Sequence, residues 1–119
     1  ILKSTLGEEI KDDKLSIIFK IGETIPCENV LTFHTVKDKQ IEALMTVWAG
    51  ETEIASKNRK VGNYKLVGIP ELDAGIGTIK TEYKISIAGI LYITNYIHDT
   101  GLLDRRTFDL KKHGLLVNE

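Results

Sequence analysis

The cysteine and histidine residues are the first candidates for chemistry in this sequence. Cys27 lies seven residues before His34, and a thiol next to an imidazole is a pair that nucleophilic catalysis uses. The alternative is a small buried hydrophobic residue at the start of a strand, and this interpretation of Cys27 is preferred. His34, His98 and His113 are far apart and lack the spacing of metal ligands. We therefore expect surface or core histidines and no bound metal.

Two other patterns have the residue types of a reactive site. Gly75-Ile76-Gly77 resembles the start of a dinucleotide loop, but Lys80 stands where the third glycine belongs. A strand rather than a helix follows, so a phosphate-binding role is rejected. The acidic pairs at 8–9 and 12–13 are adjacent residues, whose side chains diverge in a strand. We expect solvated charges there rather than a catalytic dyad, and the sequence predicts a protein domain without enzymatic activity of its own.

The composition of the chain narrows the classes of protein to which it could belong. The chain has 119 residues, 42% of them hydrophobic and 28% charged, which is typical of one globular domain. A net charge of −1 gives no long-range field to attract nucleic acid or anionic lipid. No apolar run is long enough to span a membrane. The single cysteine excludes an internal disulfide and is compatible with a reducing compartment such as the cytoplasm. The start at Ile1 is interpreted as the start of a fragment of a longer protein.

The elements that would position these residues are predicted to be β-strands almost throughout. Along residues 78–87 an apolar face alternates with a polar one, and the apolar face comprises Ile79, Thr81, Tyr83, Ile85 and Ile87. Gly89 favours a tight hairpin before a second strand at residues 90–97. A turn at 99–101 and a weaker strand at 106–110 follow.

The upstream half predicts further strands at residues 14–21, 29–36, 41–49, 52–55 and 64–67. Along 14–21, the residues assigned to one face are Leu15, Ile17, Phe19 and Ile21. Residues 37–40 and 58–62 are polar and predict loops, as do residues 68–77. Trp48 lies on the face opposite Met45 and is either a core anchor or a partner contact, with the core preferred. About eight short strands at this spacing predict an all-β, antiparallel β-sandwich over residues 1–110, followed by a tail at 111–119.

A series of short motifs narrows this prediction. They are Leu6-Gly7-x-Glu9, Thr24-Ile25-Pro26, Phe33-His34-Thr35, Val47-x-x-Gly50-Glu51, Gly62-x-Tyr64-x-Leu66-x-Gly68-Ile69-Pro70 and Ala88-Gly89-Ile90-Leu91. Each motif alone has low specificity. Their order and spacing over residues 4–91, and more loosely to 110, resembles the peptide-binding domain of the heat shock protein 70 (DnaK-type) chaperones.

The resemblance implies that loops at one end of the sandwich hold an extended, apolar-centred segment of unfolded polypeptide. The positions matching the family's central pocket and the peptide contacts around it are Glu8, Ile10, Lys11, Phe33, His34, Val36, Gln40, Ala43, Met45 and Ile79. Among them, Lys11 and Val36 match residues that arch over the peptide, and Gln40 matches one that bonds its backbone. Asp38 matches a contact to a helical lid.

The resemblance also implies parts and partners beyond these residues. A separate ATPase domain that binds ATP and magnesium would precede the sandwich, and the helical lid would follow it. J-domain co-chaperones and nucleotide exchange factors would act through that longer protein. The segment itself is expected to need no cofactor.

Three residues depart from the family pattern. Glu8 places a carboxylate where an apolar pocket residue is usual, and an unpaired buried charge is costly. Lys11 replaces an apolar arch residue, although its stem can still cover a peptide. Ala74 lacks the arginine that pairs with the lid. Ala43, in addition, is smaller than usual, which should deepen the pocket.

These departures leave two interpretations of the site. In the first, Glu8 and Lys11 point outward and pair with each other. In the second, they line the groove and change its peptide preference, and peptides with basic residues beside the apolar anchor are then favoured. Two function classes also remain. One is a peptide-binding chaperone module, and the other is a non-chaperone interaction domain with a degenerate groove.

Overall fold

β-Strands make up most of the part of this chain that the structure describes. The computed structural model describes residues 1–34, 41–69, 78–97 and 101–117. Within them lie the strands β1 Leu6–Ile10, β2 Lys14–Phe19, β3 Cys27–His34, β4 Glu42–Ala49, β5 Arg59–Val67, β6 Thr78–Ile85, β7 Ile90–Ile97 and β8 Leu102–Asp109. Two short 3-10 helices, η1 Lys11–Asp13 and η2 Ala55–Lys57, lie between strands.

The strands form two four-stranded antiparallel sheets. One has the order β2-β1-β4-β5 and the other the order β3-β6-β7-β8. The buried apolar side chains of both sheets belong to a single core cluster, as expected when two sheets stack face to face. The prediction of an all-β antiparallel sandwich of about eight strands is confirmed.

Alternation along β6 is as the sequence predicts. Ile79, Tyr83 and Ile85 are buried, whereas Lys80 and Lys84 are exposed. Gly89 has a φ of +82° in the turn between β6 and β7, a conformation that favours glycine. The sequence predicts Ile87 on the buried face, and this prediction is wrong. β6 ends at Ile85, and Ile87 lies in the turn with 81% of its surface exposed.

The segment between β4 and β5 differs from the prediction. Residues 52–55 do not form a strand; the chain bends there and continues into η2. The Asn58 side chain closes this connection, since it accepts a hydrogen bond from the Thr52 amide and donates one to the Thr52 carbonyl. The predicted loop at 58–62 is instead mostly the start of β5, whose polar residues occupy an exposed face while Val61 is buried.

The buried face of β2 also differs from the prediction. Ile18 and Phe19 are both buried, whereas Ile17 is 48% exposed and Ile21 lies beyond the strand with 54% exposed. The cause is a register shift in the β1–β2 pairing between Leu6 and Gly7. Such an irregularity breaks strict alternation.

The last described residues pack against the first. Leu2, Leu110 and Leu115 are buried, and the Lys3 amide donates a hydrogen bond to the Leu115 carbonyl at 2.8 Å. The Val117 amide donates to the Ile1 carbonyl at 2.9 Å. Residues 110–117 therefore cover the sandwich where its first residues enter.

Candidate functional site

Four of the predicted pocket residues meet near one end of the sandwich. Phe33 on β3 and Ile79 on β6 are directly paired across neighbouring strands, each one residue from the end of its strand. Ala43 and Met45 lie near the start of β4, in the other sheet. Met45 and Ile79 are core residues, 6% and 3% exposed, and Phe33 and Ala43 are partly buried against the same core. We call these four residues the apolar end cluster.

The fifth pocket position, Glu8, is inside the sandwich. It is 1% exposed, and its Oε1 accepts a hydrogen bond of 2.9 Å from the Tyr83 hydroxyl on the opposite sheet. Its Oε2 is buried, and none of the residues that the structure describes forms a hydrogen bond to it. The expectation of a solvated charge at Glu8 is therefore wrong, and so is the interpretation in which Glu8 points outward to pair with Lys11.

Burial changes the protonation of this carboxyl group. It raises the pKa of Glu8 from 4.5 to about 8, although the hydrogen bond from Tyr83 and the Thr46 backbone act in the opposite direction and Glu9 raises the pKa slightly further. Glu8 is therefore largely neutral at pH 7. Burial next to Glu8 also raises the pKa of the Tyr83 hydroxyl, so the pair carries little charge inside the core.

Further polar side chains lie in the core beside this pair. Thr81 donates a hydrogen bond of 2.8 Å to Asn95 Oδ1, and Asn95 Nδ2 donates one of 2.8 Å to the Tyr64 hydroxyl. All three residues are buried. The sequence pattern identified Thr81 and Tyr83 as inward-facing, but it did not reveal Asn95 or Tyr64 as their neighbours, because these lie on other strands.

The loop between β1 and β2 holds the predicted arch residue. Lys11 is exposed and Ile10 is 38% exposed. Asp12 and Asp13 have φ values of +66° and +56°, which is uncommon for residues other than glycine. The Asp13 carboxylate accepts hydrogen bonds from the Ser56 amide and hydroxyl. This anchors the loop to η2.

The other residues predicted to contact the peptide or the lid are either exposed at a strand end or outside the described residues. His34 is the last residue of β3 and is exposed. Val36, Asp38 and Gln40 lie outside the described residues, as does Ala74. The possible dinucleotide loop at 75–77 and His98 also lie outside them.

The structure shows the neighbours of Trp48 and Cys27, two residues that the sequence singled out. Trp48 is on the outer face rather than in the core. Its indole N–H donates a hydrogen bond of 2.8 Å to Glu9, and Lys60 Nζ lies 5.5 Å from the ring centroid. Glu8 and Glu9 therefore diverge, as the sequence predicts. Cys27 begins β3 and is partly buried against the core, and its burial raises the pKa of the thiol.

Across the four described ranges, no three His, Cys, Asp or Glu side chains group closely enough to hold a metal ion. Among those same residues, no helix has the length and apolar character needed to cross a membrane.

Fold and site together define a two-sheet antiparallel sandwich with an apolar cluster near one end. The family model described as Hsp70 protein matches residues 2–114. The chain therefore belongs to the Hsp70 family.

Individual relatives support the same assignment. The chain is 36% identical over 90 residues to the chaperone protein DnaK of Thermotoga maritima and 34% identical to that of Thermosipho africanus. The aligned part is 76% of this chain and 15% of each relative. The protein of the same name from Deinococcus deserti is 32% identical over 90 residues, 14% of its length. The chain thus spans about one seventh of the relatives that it matches.

Proposed function

We propose that this chain is the peptide-binding unit of an Hsp70-type chaperone, which captures extended, apolar-centred segments of unfolded polypeptides. The observation that carries the proposal is the apolar end cluster, whose four residues occupy the positions that match the family's pocket and come from both sheets. In the longer protein, ATP and magnesium would bind a separate ATPase domain. J-domain co-chaperones and nucleotide exchange factors would act through that domain.

Physical magnitudes are consistent with capture and release. An extended peptide offers its backbone to loop groups, which gives affinity with little dependence on sequence. Each net hydrogen bond contributes about 0.5–1.5 kcal/mol, and burial of one leucine contributes about 1.5–3 kcal/mol. Association costs on the order of 4–15 kcal/mol. Several such contacts together therefore give binding no tighter than about micromolar, which corresponds to about −8 kcal/mol.

The proposal is tested by titrating the 119-residue chain into a fluorescent heptapeptide with a central leucine. We expect a saturable increase in anisotropy that Phe33→Asp abolishes. The matched control is Val30→Asp, because Val30 lies on the same strand with 48% of its surface exposed. Circular dichroism shows whether each variant is folded.

The second candidate is an interaction domain that no longer captures peptides. It is favoured by Glu8, whose buried carboxyl group occupies a pocket position. If the folded, unmodified chain binds no apolar-centred peptide, or if Phe33→Asp and Val30→Asp bind equally well, the chaperone proposal is wrong and this second candidate gains support.

A further inference from the structure

The Glu8 side chain is buried with one hydrogen-bonding position unused. Oε1 is bonded to Tyr83, whereas Oε2 is buried with no partner among the described residues. Leaving a buried polar atom unsatisfied carries an energetic cost. A ligand group that reached Oε2 with the right chemistry would recover part of this energy.

Glu8 borders the apolar end cluster. It is paired with Val47 on β4, and Met45 lies two residues further along that strand on the same buried face. Diagonal neighbours of this kind are roughly 7–8 Å apart. On the opposite sheet, Tyr83 shares the inward face of β6 with Ile79. A side chain that entered the cluster and extended beyond it would therefore approach Glu8.

The protonation of Glu8 limits which side chain could satisfy it. A neutral carboxyl group has one O–H donor, and its proton resides on either oxygen. If the proton is on Oε1, Oε2 is an acceptor without a donor; if it is on Oε2, it is a donor without an acceptor. A carboxamide suits both cases because it has N–H donors and a carbonyl acceptor. An ammonium group suits only the first and also brings a charge into the core.

We propose that Glu8 makes this chain select extended peptides whose central side chain ends in a carboxamide, with glutamine the best fit. This inference rests on the proposed function and specifies its ligand. Because glutamine is unbranched as far as its terminal amide, its methylene groups would contact the apolar end cluster while the amide meets Oε2. Norleucine has a similar length and shape but leaves Oε2 unsatisfied.

The test compares three fluorescent heptapeptides that differ only in a central glutamine, norleucine or lysine, at pH 7. We expect the unmodified chain to bind the glutamine peptide about tenfold more tightly than the norleucine peptide, the ratio that one net hydrogen bond at the upper end of its range gives. Glu8→Met should remove this preference. Glu9→Gln, on the same strand but facing outward, should keep it.

The outcomes separate this inference from the proposed function. If norleucine binds as tightly as glutamine, if lysine binds most tightly, or if Glu8→Met keeps the preference, the inference is overturned while the peptide-binding function stands. If no peptide binds the folded chain, both are overturned. Because glutamine and norleucine are compared in the unmodified chain, the result holds even if Glu8→Met does not fold.

Discussion

The buried carboxyl group of Glu8 predicts an unusual dependence of stability on pH. Its pKa is raised from 4.5 to about 8 in the folded chain, so between these values the folded state binds a proton that the unfolded state has lost. Stability falls with rising pH wherever the folded state holds more protons. The contribution of Glu8 is therefore complete below pH 4.5 and is lost as the pH rises through about 8.

The magnitude follows from the size of the shift. The change from 4.5 to about 8, at about 1.4 kcal/mol for each unit, amounts to up to about 5 kcal/mol of the free energy of unfolding. Domains are commonly stable by only about 5–15 kcal/mol. The chain should therefore be markedly less stable at pH 9 than at pH 5.

Glu8→Gln isolates this effect, because an amide keeps the shape and does not titrate. Urea unfolding can be followed by the fluorescence of Trp48, the single tryptophan, at one-unit intervals from pH 5 to pH 9. We expect the variant to gain stability relative to the unmodified chain by several kcal/mol across this range. Glu9→Gln is the control and should show a much smaller trend, because Glu9 is the least of the causes that shift the pKa of Glu8. A difference between Glu8→Gln and the unmodified chain that stays constant with pH would refute the reasoning.

Two further predictions concern neighbouring contacts. Tyr83→Phe removes the hydrogen bond that lowers the pKa of Glu8. The decline of stability in the same urea series should therefore start at the same pH but continue to a higher pH. An unchanged profile would contradict this role of Tyr83. Gly7→Ala should destabilise the fold by about 1–3 kcal/mol, because the new Cβ would lie 2.4–2.8 Å from Leu15 side-chain atoms. Adding Leu15→Ala should make the loss smaller than the sum of the two single losses, and strictly additive losses in urea unfolding would exclude that clash.

Local pattern was sufficient where a strand is regular and one of its faces is exposed. Along β6, alternation in the sequence predicted the buried side of Ile79, Thr81, Tyr83 and Ile85, and the structure agrees. The same reasoning failed for β2, where a register shift against β1 interrupts the alternation. It also failed at the start of β5, where polar residues on an exposed face suggested a loop.

The apolar residues of the site were predictable and their polar neighbours were not. The order of short motifs pointed to Phe33, Met45 and Ile79, which lie in one packed cluster. The same motifs marked Glu8 as a departure without indicating its surroundings. The partner of Glu8 is Tyr83, 75 residues away in the chain, and no local pattern connects residues so far apart.

The sequence by itself determined the β-rich class, the alternation that separates Glu8 from Glu9, and the motif order typical of the family. Only the tertiary structure decided which of the two carboxyl groups faces the core, because strand periodicity defines two faces without saying which one is buried. Sheet stacking then set the environment of Glu8. It placed Tyr83 against one oxygen and withdrew both from water, which is why an acid that would be charged in solution is largely neutral here.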